Sequence, residues 1–177
     1  VQGDVGSGKT MVAAAAAFVA FQNGYLSALM APTEILAQQH FQGLSRLLSP
    51  LGMRVALLCG SMTAKEKRDV KERIALGMVD LVIGTHALIS EDVDLPNLAL
   101  VVTDEQHRFG VGQRTKLSEK SDHPHTLVMS ATPIPRTLAL MIYGDLDVSI
   151  IDELPPHRQP VKTYVISSKL KERAYNF

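Results

Sequence analysis

Eight residues near the start of the chain, Gly3-Asp4-Val5-Gly6-Ser7-Gly8-Lys9-Thr10, have the spacing of a phosphate-binding loop of the Walker A kind: a glycine, four residues, then Gly-Lys-Thr. Glycines free the backbone to turn several N–H groups toward one anion. A helix opening immediately afterwards adds the positive end of its dipole. Lys9 has the reach for β- and γ-phosphates, and the Thr10 hydroxyl is a suitable ligand for Mg²⁺. A glycine-rich turn can match by chance, but a full match in front of a helical stretch favours nucleotide binding. Alone, the loop says only that the chain belongs with the NTPases.

An NTPase also needs carboxylates, one to hold the metal and one to orient or deprotonate water. Asp104-Glu105 directly follows the most hydrophobic run of the chain, Leu-Ala-Leu-Val-Val-Thr at 98–103. A carboxylate at that strand end faces the phosphate loop across neighbouring strands. Asp104 is therefore the candidate metal holder with Thr10, and Glu105 the candidate catalytic base with Lys9 beside it. Gln106 and His107 follow at once. With no second His/Cys cluster at zinc-ligand spacing, zinc is excluded. Ser130-Ala131-Thr132 places two hydroxyls after another short apolar run; alone, they read as a turn or helix cap. The loops Pro32-Thr33, Gly60-Ser61 and Thr85-His86 also follow strands. They offer amides and hydroxyls to a phosphate backbone, and alone they are ordinary turns. His40, His123, His125 and His157 lie in polar stretches and read as surface residues. Met11, Met53 and Met78 read as core filler, and Cys59 as a buried residue at a strand end.

These groups need a scaffold that brings strand ends together. The Ala-rich stretch 10–23, free of Gly and Pro, reads as a helix stopped by Gly24. Residues 26–31 read as a buried strand, and 33–48 as a helix with Ile35, Leu36, Phe41, Leu44 and Leu48 on one face. Residues 54–59 read as a strand. Thr63-Ala64-Lys65-Glu66 has capping-box spacing and opens a charged helix to about 76. Strands follow at 80–84, 98–103 and 127–130, with a helical turn at 86–89 and a helix at 135–143. Alternating strands and helices predict a parallel sheet covered on both faces, and continuous apolar strands support it. Ligands of such sheets collect at the carboxyl ends of strands, where every candidate group sits.

Composition sets limits on partners. Of 177 residues, 46% are hydrophobic and 20% charged, which suits one ordinary domain. Lys+Arg and Asp+Glu are both 18, so bulk positive charge does not carry nucleic-acid binding. A single cysteine excludes an internal disulfide framework. No apolar run reaches the roughly 18 residues of a membrane span, so the expectation is a soluble, intracellular domain. Only Val1 and Gln2 precede the loop, and a strand needs about five residues; the expectation is a fragment whose leading strand is largely missing. Leu154-Pro155-Pro156-His157-Arg158-Gln159-Pro160 reads as a semi-rigid linker, and 161–166 as a strand of a following domain.

Taken together, residues 3–10, Ala31-Pro32-Thr33-Glu34, Gly84-Thr85-His86, Asp104-Glu105-Gln106-His107 and Ser130-Ala131-Thr132 resemble, in order, the motifs of the first RecA-like lobe of superfamily 2 helicases. The longer strings Asp104-Glu-Gln-His-Arg-Phe-Gly-Val111, Ser130-Ala-Thr-Pro-Ile-Pro-Arg-Thr137 and Tyr143-Gly-Asp-Leu-Asp-Val-Ser149 are similar to the bacterial RecG family, ATP-dependent DNA helicases that remodel stalled replication forks. The transcription-repair coupling translocases share the Ala-Thr-Pro-Ile-Pro-Arg-Thr block; Gln106 and Tyr143-Gly-Asp-Leu-Asp fit RecG better. RecG proteins usually carry glycine where this chain has His157, a difference confined to the linker.

The resemblance implies a RecA-like P-loop NTPase three-layer sandwich with a mainly parallel central sheet. It implies a first ATP-binding lobe over 1–153, a linker over 154–160 and the start of a second RecA-like lobe over 161–177. It implies ATP and Mg²⁺ as cofactors and a cytoplasmic bacterial setting with no membrane. It implies branched duplex DNA, forks and Holliday junctions as partners, beside a second lobe and an N-terminal fork-binding domain. Within it, Gln106, His107, Ser130 and Thr132 would couple nucleotide state to DNA grip, and Pro32, Thr33, Gly60, Ser61, Thr85 and His86 would touch the DNA backbone. The alternatives are a nucleotide- or DNA-binding fragment without activity of its own, and a lobe of a transcription-repair coupling translocase.

Overall fold

The computed structural model describes residues 1–104, 117, 120–121, 124–131, 147–153, 165 and 171–175. Glu105, Gln106, His107, Thr132, His123, His157, the expected helix at 135–143 and the linker at 154–160 lie outside the described residues, as does all but Val165 of the expected strand at 161–166.

Strands β2 (Leu26–Met30), β3 (Val55–Leu58), β4 (Leu81–Gly84), β5 (Leu98–Asp104) and β6 (His125–Met129) form one sheet in the order β3-β4-β2-β5-β6. Every pair in it is parallel. Beyond β6, the short β1 (Gln2–Gly3) makes a parallel bridge from Gln2 to Ser130 and pairs in parallel with β7 (Ile150–Ile151). The Gly3 amide donates to the Ser130 carbonyl at 3.2 Å, and the Gln2 amide to Ser149 at 2.8 Å. Two residues of strand thus seat the phosphate loop between β6 and β7.

Helices α1 (Lys9–Gln22) and α2 (Glu34–Leu48) cover one face, and α3 (Ala64–Ala75) the other; a short α4 spans Lys171–Tyr175. The alternation of side chains along each strand divides the core. Leu29, Leu81, Ile83, Leu100 and Val102 pack with Ala13, Ala14 and Ala17 of α1 and with Ala37, Leu44 and Leu48 of α2. Ala28, Met30, Val82 and Val101 pack with Val70 and Ile74 of α3. An irregularity in the β2–β5 pairing, where Leu26 faces Leu98 but Ser27 faces Leu100, lets Leu98 and Leu100 serve opposite faces. The alanines of α1 bring that helix's backbone close to the sheet beside the phosphate loop. A buried Leu or Ile contributes about 1.5–3 kcal/mol, so the continuous burial of β2 and β4 makes these strands the anchor of the loops that follow them.

Local signals account for the helix ends. The Thr33 hydroxyl accepts from the Leu36 amide at 3.3 Å and caps α2. Thr63 and Glu66 form the complete capping box of α3. Gly24 follows α1 with φ +78, in the left-handed region that suits glycine. The helical turn at His86–Ile89 is present, and Cys59 is buried after β3.

Two packing expectations are corrected. Ile35 is 70% exposed: the inward stripe of α2 runs through Ala37, Leu44 and Leu48 with Phe41 packed against it, and a residue two positions before Ala37 points roughly 160° away from it. Met11 and Met78 are exposed, whereas Met53 is buried as expected. Met11 lies on the outer side of α1, whose inward positions are the alanines, and Met78 lies between α3 and β4.

Asp80, at the entrance to β4, accepts from the Arg54 amide (2.7 Å), Nε (2.9 Å) and Nη2 (2.6 Å). Burial pushes its carboxyl up, but the Arg54 hydrogen bonds and charge outweigh burial, and the net direction is down. A carboxyl depressed in the folded state contributes stability that is present above its unfolded value, about 4, and is lost as pH falls through the lower folded value. Arg54→Ala keeps the amide bond but removes the guanidinium. We expect a loss of about 1–3 kcal/mol at pH 7, less than for a fully buried pair because the Arg54 side chain is 50% exposed. Urea titrations of both proteins at pH 7 and pH 3 check this. The difference should shrink at pH 3, and an equal difference at both values refutes the assignment.

Candidate nucleotide-binding and catalytic site

Because the strands are parallel, the phosphate loop, Pro32-Thr33, Gly60-Ser61, Thr85-His86, Asp104 and Ser130-Ala131 all emerge at the carboxyl end of the sheet. The phosphate loop is formed. Gly6 and Gly8 have φ +82 and +95, where a side chain would be strained. A Cβ on Gly3 would stand 2.5 Å from Ser7 Oγ and 3.0 Å from Ile151 Cβ, so only glycine fits there without displacing neighbours. The Lys9 ammonium, in the first turn of α1, donates to the Gly3 carbonyl at 2.7 Å and the Asp4 carbonyl at 2.8 Å. The Asp4 carboxylate accepts from the Val5 amide at 2.7 Å. Lys9 thus shapes the loop whose helix carries it, and its charge is already at the loop's centre.

Val5, Gly6, Gly8, Lys9, Thr10, Leu36, Asp104 and Ala131 line one cleft of about 490 Å³, of the size of a small-ligand site. Thr10 and Asp104, far apart in sequence, lie on the wall of the same cleft. Their oxygens are hard donors, as Mg²⁺ prefers. Among the described residues no group of three or more His, Cys, Asp or Glu is placed to hold a metal. The two oxygens of Thr10 and Asp104 fit a cation held largely by phosphate and water, with the protein supplying one or two ligands. Ser130 is buried at the end of β6 beside β1.

The three loops expected at a phosphate backbone form a cluster. Glu34 Oε1 accepts from the Ser61 amide at 2.9 Å, and a Cβ on Gly60 would approach the same oxygen at 2.9 Å. Hydrogen bonds from Ser61 chiefly hold the Glu34 carboxyl below the usual range against an opposing effect of desolvation, with lesser help from the Gly60 amide and the charge of His86. Lys67 donates to the Gly60 carbonyl, and the Ala31 amide to the Gly84 carbonyl at 2.8 Å. Thr33, Gly60, Ser61 and His86 are exposed and Pro32 is half-buried. Thr85 is 2% exposed, with a hydroxyl that has no partner among the described residues.

Two residues of the site carry no signal as isolated letters. Glu34 reads as the first residue of a helix, yet it ties α2 to the Gly60-Ser61 loop. His40 is not a surface residue: its side chain is 12% exposed and Nε2 lies 2.7 Å from Asp104 Oδ2. The signal is its place on α2, three residues after Ala37 and four before Leu44, both buried. A polar residue within such a stripe points inward and needs a partner. His125 is exposed as expected.

A parallel sheet of this order, with a glycine loop at one strand end and an aspartate at another, is the architecture of a P-loop motor domain. A family model, DEAD/DEAH box helicase, matches residues 1–141, and the chain belongs to that family. It is similar to the ATP-dependent DNA helicase RecG of Streptococcus pneumoniae, 59% identical over 163 residues, covering 92% of this chain and 24% of that protein. It is 56% identical over 173 residues to RecG of Haemophilus influenzae, covering 96% of this chain and 25% of that protein. Among solved structures, RecG bound to a three-way DNA junction matches with a TM-score of 0.83 at 47% identity, over 99% of this chain and 24% of that one. The Mss116p DEAD-box helicase domain 2 bound to an RNA duplex matches at TM-score 0.60 and 11% identity, over 73% of this chain and 52% of that one. That likeness shows the fold alone. The chain spans about a quarter of the length of the RecG relatives it matches. Among the described residues no helix is long and apolar enough to cross a membrane.

Proposed function

We propose that the chain is the first motor lobe of a RecG-type, ATP-dependent DNA helicase, with the lobe over 1–153, a linker over 154–160 and the start of a second lobe over 161–177. The carrying observation is the convergence of Lys9, Thr10 and Asp104 on one cleft in a chain similar to RecG over nearly its whole length. Lys9 binds the β- and γ-phosphates of ATP, and the amides of Gly6 and of residues 8–10 cradle them. Thr10 and Asp104 hold Mg²⁺, which when bound neutralises charge that develops on the phosphates. Glu105 acts as base toward the attacking water. Gln106, His107, Ser130 and Thr132 relay nucleotide state to the DNA-gripping loops. Pro32, Thr33, Gly60, Ser61 and His86 lie along the DNA backbone, with the exposed Thr33 and Ser61 hydroxyls and the His86 side chain contacting phosphates of duplex DNA. Thr85, buried, accepts from the Leu88 amide at its carbonyl and shapes the turn that presents His86. In the whole protein, hydrolysis drives translocation on duplex DNA and remodelling of branched junctions and forks, with a second lobe and a fork-binding domain as intramolecular partners.

A P-loop site of this class is completed across two lobes, where a residue from outside contributes factors of 10³ or more to turnover. The 177-residue chain alone is therefore expected to bind Mg²⁺-ATP, hydrolyse it very slowly and unwind nothing. Equilibrium titration with a fluorescent ATP analogue and a phosphate-release assay with and without forked DNA check this. Failure to bind nucleotide, or rapid DNA-stimulated turnover by the chain alone, refutes the reading.

A further inference from the structure

Helix α2, whose Leu36 lines the cleft, makes two further links around it. Its first turn carries Thr33 as cap and Glu34 on the Ser61 amide. Its middle carries His40, bonded to Asp104 across 64 positions of sequence. About 10 Å of rigid helix separates Thr33 from His40. A carboxylate oxygen only accepts, so Nε2 carries the proton of this bond. Both side chains are nearly buried, at 12% and 13% exposure, and water competes weakly there. The bond engages Oδ2; a carboxylate has a second oxygen, Oδ1, able to accept from a water on a metal.

A short aspartate at a strand end has two side-chain torsions, and nothing in the strand sets the second. A hydrogen bond to one oxygen sets it, and groups that orient a metal-binding carboxylate commonly govern metal affinity by about 10–100-fold. We propose that His40 is a positioning residue for the metal of the nucleotide site. It fixes the Asp104 carboxylate in the orientation that receives Mg²⁺, and through α2 it ties that orientation to the Pro32-Thr33 and Gly60-Ser61 loops. This rests on the assignment of Asp104 to the metal.

The test uses the 177-residue chain and a fluorescent ATP analogue, with affinity measured without metal and across a Mg²⁺ titration. The wild type tightens with Mg²⁺. In His40→Ala the Mg²⁺ concentration giving half of that gain rises about tenfold, while affinity without metal stays within about twofold. His40→Gln, whose amide can donate to the same oxygen, recovers most of the loss. A Mg²⁺ dependence in His40→Ala equal to the wild type overturns the proposal, as does an equal loss with and without metal, which indicates a packing role. Equal defects in the Gln and Ala variants also overturn it. If the wild type binds the analogue with no response to Mg²⁺, the metal assignment of Asp104 fails, and His40 has no metal to position.

Discussion

In Lys9→Ala, affinity for ATP falls by about 10²-fold or more while the fold persists. A charge-assisted hydrogen bond contributes about 1.5–3 kcal/mol, and an ammonium between two phosphates makes at least two. The gain is not the full sum, because without nucleotide the same ammonium already donates to Gly3 and Asp4 and must exchange those carbonyls for phosphate oxygens. A net loss of about 3 kcal/mol is roughly a hundredfold in affinity. The loop retains its glycine geometry at Gly6 and Gly8, and the α1 alanines remain packed on the sheet, so melting should move by only a few degrees. Glu105→Gln gives the opposite pattern in a protein that carries this chain with its second lobe. The amide keeps the shape of the carboxylate, so binding stays, while loss of a general base lowers turnover by about 10²–10⁴-fold. Nucleotide titration and single-turnover hydrolysis on both variants separate the roles. Undiminished hydrolysis in Glu105→Gln removes the base assignment, and wild-type affinity in Lys9→Ala removes the phosphate assignment.

The chain displays some of this arrangement openly and hides the rest. The loop at 3–10 is legible because its chemistry depends on backbone conformations that only glycines adopt cheaply, and glycines show as letters. Asp104 is legible because it ends a run too apolar to be anything but a buried strand. The layers follow from the same strands, whose continuous burial is written in Leu26–Met30 and Leu81–Gly84. His40 was hidden because its meaning lies in a partner 64 residues away, and the neighbours Gln38, Gln39 and Gln42 make the stretch look polar. Ile35 and Met11 were misplaced for a related reason: an apolar residue carries no mark of which side of its helix it occupies. On α1 the alanines take the inner side, since the helix lies close to the sheet. The seating of β1 against Ser130 and β7 is equally unreadable, because two residues of strand have no pattern of their own.

Gly84→Ala should be the most destabilising single methyl added to the sheet. Gly84 ends β4, paired with Leu58 of β3 on one side and Met30 of β2 on the other. A Cβ there would stand 2.2 Å from the Leu58 carbonyl oxygen and 3.2 Å from its carbonyl carbon, with Leu88 Cγ at 3.0 Å. Leu88 could adjust, but the Leu58 contact is with backbone inside a parallel ladder, so the strands themselves must part. Overpacking a core typically costs about 1–3 kcal/mol and occasionally more. Main-chain displacement inside the ladder between the edge strand β3 and β4 belongs toward the upper end, and for a chain of this size about 3 kcal/mol is roughly 6–12 °C of melting temperature. The strain is delivered where function is expected, since Cys59-Gly60-Ser61 and Thr85-His86 leave the sheet on either side of that contact and the Ala31 amide bonds the Gly84 carbonyl. Gly43→Ala is the matched control. It is an exposed glycine inside α2 with open space around its Cβ position, so alanine there should stabilise by about 0.5–1 kcal/mol. Calorimetry on the two variants should therefore give shifts of opposite sign. A Gly84→Ala protein melting within about 2 °C of the wild type would show that β3 and β4 can part without cost and that this close contact does not hold the two loops in place.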